Sequence, residues 1–175
     1  MNNSFSYNGV VTLVQRVDGK EVSKTYHNNG TEQLFELFAR AMVGQTVTEM
    51  SPTHIDVLIK DDKTNKFNSV LKNKISIITS YKNKDSDGGL YGVPYCRISL
   101  VLLKNMFNTE LFKRDDSLTL ELKSSYNDDV ITLAYVNVNG MAKTILDMSP
   151  AIQLILLWDL YITNPQNEST KGEDE

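Results

Sequence analysis

Along most of the chain, apolar and polar positions alternate with a period of two. Ile55, Val57 and Ile59 alternate with His54, Asp56 and Lys60, and Leu118, Leu120 and Leu122 alternate with Thr119, Glu121 and Lys123. That period is the signature of half-buried β-strands. Residues 10–17 and 22–26 are rich in β-branched side chains and are separated by Asp18-Gly19-Lys20, which predicts an opening hairpin. Residues 75–81, 95–103 and 130–138 predict further strands, the last closed by the turn signal Asn139-Gly140. In 95–103, Cys96, Ile98, Leu100 and Leu102 share one face.

The period changes once, over residues 32–43. Leu34, Phe35, Leu37, Phe38, Ala41 and Met42 fall on one helical stripe, with Glu32, Gln33, Glu36 and Arg40 elsewhere. Thr31 is placed as N-cap, Glu32 suits the positive end of the helix dipole, and Gly44 is a stop. Two phenylalanines in the stripe predict that the helix lies on a core. Residues 151–163 admit two readings. Ser149-Pro150 could open a helix, yet Ile152, Leu154, Leu156, Trp158, Leu160 and Ile162 alternate without a break, which favours a long strand. About seven or eight strands and one short amphipathic helix after the first hairpin make a mainly β chain, a β-sandwich or open barrel. The expected division is one β-rich domain over 1–164. Residues 165–175 are an acidic tail; Gln166 to Glu175 has no apolar side chain and is expected to be disordered.

The closing strand is apolar on both faces, with Ile155, Leu157 and Tyr161 opposite Leu154, Leu156 and Trp158. Such a strand must be covered on both sides. One side packs on the domain's own core. The other needs the helix or a neighbouring subunit; otherwise a patch on the order of several hundred Å² stays exposed and marks an interaction surface.

Composition changes the picture by exclusion. With 175 residues the chain is long enough to build a core without disulfides or metals. A net charge of -4 and a pI near 5.2 disfavour nucleic acid and anionic lipid as partners. The single cysteine, Cys96, cannot form an intrachain disulfide and suits a reducing cytoplasm. Residues 1–7 lack the basic head and apolar core of a secretory signal, and no apolar run approaches the roughly 20 residues of a membrane helix.

The sequence nominates no catalytic, cofactor-binding or metal-ligating residue and no small-molecule substrate. His27 and His54 are far apart in the chain; His27 reads as a turn residue and His54 as an exposed or edge residue. Cys96 reads as an inert core thiol. Asp61-Asp62, Asp85, Asp87, Asp115-Asp116 and Asp128-Asp129 fall at turns, where aspartate bonds its own backbone. Residues 83–88 begin like a calcium loop, but Pro94 stands where the bidentate glutamate belongs. Residues 88–92 resemble a phosphate-cradling loop but open no helix. Lysines 63, 66, 72, 74, 82 and 84 form the one basic segment; beside Phe67 and Tyr81 they could suit single-stranded nucleic acid, but a solvated hairpin explains them better.

The segment His27-Asn28-Asn29-Gly30-Thr31, leading into Leu34-Phe35 and Ala41-Met42-Val43-Gly44 and followed by strands, resembles small virion proteins of tailed bacteriophages, as does the closing run Ala151-Ile152-Gln153-Leu154-Ile155-Leu156-Leu157-Trp158-Asp159. The resemblance implies a structural subunit without catalytic residues, in a neck, tail or head-decoration position, made in the host cytoplasm and partnered by itself or by other virion proteins. The alternative expectation is a β-sandwich module binding carbohydrate or another small ligand on a platform such as Tyr91, Tyr95 and Tyr126.

Overall fold

A computed structural model describes residues 6–17, 19–83, 92–126 and 129–163. The strands are β1 (Ser6–Val17), β2 (Lys20–His27), β3 (Asn29–Gly30), β4 (His54–Asp61), β5 (Lys66–Ser69), β6 (Ile75–Ser76), β7 (Ile78–Lys82), β8 (Tyr95–Leu103), β9 (Leu118–Tyr126), β10 (Asp129–Val138) and β11 (Gln153–Thr163). Two helices join them, α1 (Glu32–Met42) and α2 (Met141–Asp147). The strands form two antiparallel sheets. One has five strands in the order β2-β1-β11-β8-β7; the other has six, β3-β10-β9-β4-β5, with β6 also pairing with β4. The sheets pack face to face as a sandwich, not a closed barrel.

The core follows from the period of two. Leu118, Leu120 and Leu122 of β9 meet Val57 and Ile55 of β4 and Ala134, Val136 and Val138 of β10 on the inner face of the six-stranded sheet. Val11, Leu13, Ile98, Leu100, Leu102, Leu154, Leu156 and Trp158 face them from the five-stranded sheet. The alternation in residues 151–163 therefore does make a strand, and β11 sits at the centre of its sheet between β1 and β8. Burying a leucine or isoleucine this completely contributes about 1.5–3 kcal/mol, and these positions are where that gain concentrates.

The chain changes sheet twice through a single residue. β2 ends at His27 in one sheet and β3 begins at Asn29 in the other, so Asn28 makes the crossing. The strand expected over 75–81 is likewise split at Ile77, with β6 in the six-stranded sheet and β7 in the five-stranded one. At the first crossing the Asn28 amide donates to the Gly9 carbonyl at 3.0 Å, and the Asn28 Oδ1 accepts from Trp158 Nε1 at 3.2 Å. The Asn28 side chain lies so close over Gly9 that a Cβ there would fall 1.4 Å from Oδ1.

Helix α1 has the expected ends. Thr31 Oγ1 accepts from the Leu34 amide at 3.2 Å, and Thr31 also donates to the Thr132 carbonyl, tying the cap to β10. Gly44, at φ 81°, donates its amide to the Ala41 carbonyl and Gln45 donates to the Arg40 carbonyl, the pair of hydrogen bonds that closes a helix through a left-handed residue. The stripe is only partly used. Leu34 and Leu37 are buried against Leu133 of β10, and Phe38 is half-buried beside them, but Phe35 is 54% and Met42 85% exposed. The expectation that both phenylalanines lie on the core holds for Phe38 and is corrected for Phe35. The reason is that α1 lies along β10 and covers only the width of one strand.

Helix α2 goes beyond the single helix expected. Met141, Ala142 and Ile145 enter the main core between β10 and β11, with Met148 after them. Gly140, at φ 82°, starts it. Lys104 Nζ donates to the Leu146 carbonyl at 2.6 Å, placing a cation where the last helical carbonyls are unpaired. The Gln166–Glu175 tail lies outside the described residues.

Two outcomes follow for stability. Leu37→Ala should cost about 2–5 kcal/mol, whereas Phe35→Ala should stay within about 1 kcal/mol, typical of surface sites. Denaturant unfolding of both variants checks this, and equal losses would mean that α1 is seated differently. Gly9→Ala should destabilise by about 1–3 kcal/mol through overpacking. In a double-mutant cycle with Asn28→Ala, the combined loss should be smaller than the sum, because the second change removes the atom that the new methyl strikes.

Candidate interaction surface

The two outer faces of the sandwich differ in kind. On the six-stranded sheet α1 covers Leu133 and Ile131 of β10, and several of the remaining outward positions are polar and bonded to one another. Lys123 Nζ meets Glu121 Oε2 at 3.0 Å and Asp56 Oδ2 at 3.5 Å, Thr132 Oγ1 donates to Glu121 at 3.3 Å, and Thr119 Oγ1 donates to Asn137 at 2.8 Å. This is a face built to meet water.

The outer face of the five-stranded sheet carries an apolar patch, set among Thr12, Ser23, Thr25, Ser80 and Ser99. The register places Val14 of β1 opposite Ile155 of β11, and Ile155 opposite Val101 of β8. One step along, Leu157 lies opposite Ser99, which lies opposite Ile78 of β7. Ile155 is 37%, Val101 42% and Ile78 70% exposed. The helices are elsewhere: α1 is seated on β10, and α2 is inside the core. At one margin the face dips into a depression of about 400 Å³ lined by Val14, Ile152 and Ile155, with Arg16 and Glu21 at its rim. Uncovered apolar side chains contiguous across three neighbouring strands are the mark of a contact surface.

A charged pair anchors this face. Arg97 and Asp159 stand opposite each other in β8 and β11. Arg97 Nε donates to Oδ1 at 2.7 Å and Nη2 to Oδ2 at 2.8 Å, a bidentate fork. Asp159 is 2% exposed, and the guanidinium lies over the Tyr95 ring, 5.5 Å from its centroid. A carboxylate buried so deeply keeps its charge only with a partner of this geometry. The pair fixes the register of the two strands that carry the apolar patch. With both oxygens accepting from the guanidinium, Asp159 is not arranged as a general base. Cys96, on the inner side, has its thiol pKa raised by burial and then by Asp159, so it is not an activated nucleophile.

The other candidate groups do not converge. His27 is exposed at the end of β2. His54, expected as an exposed or edge residue, is not exposed: it is 8% exposed, with Nδ1 2.8 Å from Thr53 Oγ1, and residues 71–74 line a hollow against it. Its pKa is lowered by burial first and then by Lys74 and Lys123, with Asp56 opposing. Asp61 Oδ1 accepts from the Lys63 and Thr64 amides, and Asp116 Oδ2 accepts from the Lys113 amide, the backbone bonding expected of turn aspartates. Lys63, Lys66, Lys72 and Lys74 are exposed around β5. Tyr95 is 3% exposed and offers no carbohydrate platform; Tyr91 and the side chain of Tyr126 lie outside the described residues. So do Lys84, Asp85, Asp87 and Asp128, with most of the calcium-like and glycine-rich segments.

Among the described residues, no three His, Cys, Asp or Glu side chains group as a metal site, and no helix is long and apolar enough to cross a membrane. Compared with protein families, curated proteins and solved structures, the chain matches none.

The histidine gives a pH-dependent outcome. A lowered pKa means that the folded state resists protonation while the unfolded state takes a proton near pH 6.5. The stability His54 contributes is therefore complete above that pH and is lost as pH falls through its folded pKa. The melting temperature should drop as pH falls below about 6.5, and His54→Gln should flatten that part of the profile. An unchanged slope in the variant would assign the loss to other groups.

Proposed function

We propose that this chain is a structural subunit of a larger assembly, a tailed-phage particle protein at a neck, tail or head-decoration position, working by geometry without catalytic turnover. The observation that carries the reading is the outer face of the five-stranded sheet, where Ile155, Val101 and Ile78 stay exposed while both helices are used elsewhere. An antiparallel sheet in a self-sufficient monomer turns a polar face to water or covers it, as the six-stranded sheet of this chain does with its polar network and with α1. The apolar face is instead suited to another protein. The bidentate Arg97–Asp159 pair supports the reading, since it stiffens the two strands that bear the patch. The particle type rests on the resemblance of the 27–44 and 151–159 segments, and the assembly role rests on the exposed face.

Ile155→Glu with Val101→Glu tests it. Both side chains point outward, so the fold should be retained, with stability shifted by about 1 kcal/mol or less. Light scattering should show the parent chain in a homo-oligomer or in a complex with other particle proteins, and electron microscopy of the native particle should place it there. The double variant should lose that association. A parent chain that is monomeric, joins no particle and binds a sugar would overturn the proposal in favour of a binding module.

A further inference from the structure

The basic segment of the chain folds against β4 in an irregular way. β5 and β6 both pair with β4, but the run between them is broken. The Val70 amide donates to the Val57 carbonyl at 2.8 Å, and Ile75 lies opposite Ile55, so residues 71–74 stand against the single residue Asp56. They leave the ladder. Leu71 bridges to Phe107, and the Lys72 amide donates to the Met106 carbonyl at 2.9 Å. What remains between this segment and β4 is a hollow of about 210 Å³, lined by His54, Asp56, Ser69 and residues 71–74. Lys74 reaches back over β4 to β9, where its Nζ donates to Ser125 Oγ at 3.2 Å. It therefore lies over the sheet face that carries Asp56 and Lys123.

His54 is more than nine-tenths buried, yet only one of its ring nitrogens is used. Nδ1 meets Thr53 Oγ1, which itself accepts from the Ser125 amide at 3.1 Å. Among the described residues Nε2 has no hydrogen-bond partner, and it is not sealed from solvent; the ring opens on the hollow. A protonated imidazole donates from both nitrogens. Thr53 Oγ1 can take one of those protons. Asp56, the carboxylate that lines the hollow, is already engaged: Oδ1 accepts from Ser69 Oγ and the Val57 amide, and Oδ2 lies 3.5 Å from Lys123 Nζ. The proton on Nε2 has to find its acceptor elsewhere.

The charges around the hollow fix the sign of that acceptor. Lys72, Lys74 and Lys123 face Asp56 and Glu121, an excess of one positive charge that becomes two when His54 is protonated. Burial first, and then Lys74 and Lys123, hold the ring neutral against the opposing pull of Asp56. An anion in the hollow would relieve the repulsion among the ammonium groups and accept from Nε2 at once. Size and donor type narrow its class. Sites for drug-sized molecules run to roughly 300–1,000 Å³, so this hollow encloses an ion and not a sugar or a nucleotide. Ammonium groups act as point charges, which suits a tetrahedral oxyanion; a planar carboxylate is better matched by the fork of an arginine. A metal ion does not fit, because among the described residues no three His, Cys, Asp or Glu side chains group together.

We propose that the hollow over His54 binds a small tetrahedral oxyanion of the sulfate and phosphate class, held by Lys72, Lys74 and the protonated ring of His54. The site is on the other sheet from the apolar patch and stands whether or not the chain is an assembly subunit. Binding and protonation reinforce each other: the anion favours the charged ring, so affinity rises as pH falls, by about tenfold for each unit that the ring's pKa is raised. Sulfate is the probe for this, because its own charge is constant over the range whereas that of phosphate is not. The full-length protein is titrated with sodium sulfate at about pH 7.5 and about pH 5.5, on either side of the ordinary histidine pKa, with ionic strength held by sodium chloride. Backbone amide and imidazole NMR signals are the readout, since sulfate raises melting temperatures of proteins in general by exclusion. The signals of His54 and residues 72–74 should move in a saturable way, binding should be tighter by roughly fivefold or more at the lower pH, and the His54 ring should titrate at higher pH with sulfate than without. K72A/K74A, in which both altered side chains are exposed, should fold and lose roughly tenfold or more in affinity at both pH values. H54Q should bind within about threefold of the parent at the higher pH and lose the gain at the lower one. Inorganic phosphate compared with methyl phosphate then separates two sources of the same chemistry: equal affinity assigns the site to a phosphate monoester, and a preference for inorganic phosphate assigns it to the free ion. Shifts spread equally over the other exposed lysines, or an affinity unchanged in K72A/K74A, would mean an adventitious ion only and overturn the site. A parent affinity that does not rise on acidification removes His54 from it and overturns the proposal as well.

Discussion

The sandwich depends on the point where Asn28 crosses from one sheet to the other. Three remote segments meet there: the start of β1 at Gly9, the end of the first hairpin, and Trp158 in the centre of β11. The indole N–H is a donor only, and it is fully buried, so it requires an acceptor inside the core. Asn28 Oδ1 is that acceptor, and it reaches the indole only because Gly9 has no side chain. The arrangement carries a cost, since Asn28 Nδ2 is buried without a hydrogen-bond partner. It is tolerated because the same residue turns the chain toward β3 and α1. Move Asn28, and the largest side chain of the core, the first hairpin and the entry to the helix all lose their common reference.

Fixing that crossing decides which faces remain open. The chain leaves Asn28 onto the β10 edge of the six-stranded sheet, so α1 is committed to β10. The connection from β10 to β11 carries α2, which is drawn into the core by Met141, Ala142 and Ile145. Neither helix is then free to lie over the five-stranded sheet. Its exposed Ile155 and Val101 are thus a consequence of topology as well as of composition, and a deeply buried ion pair holds the strands beneath them.

Much of this is written in local periodicity. The period of two identifies β4, β8, β9, β10 and β11, and in β11 it outweighs the helix-start signal of Ser149-Pro150, because alternation over eleven residues constrains more than one capping pair. The change of period locates α1, and Thr31 and Gly44 mark its ends. What escapes has partners far away or too few residues to show a period. β3 and β6 have two residues each. α2 has seven; its apolar spacing, Met141, Ala142, Ile145 and Met148, is helical, but the preceding Asn139-Gly140 reads as a hairpin turn, since a left-handed glycine serves either purpose. Burial of Asp159 depends on Arg97, 62 residues earlier, and His54 lies against residues 71–74, a segment beyond β5 in the chain. The apolar outer face, by contrast, is legible in β11 itself, as hydrophobic residues on both sides of one strand.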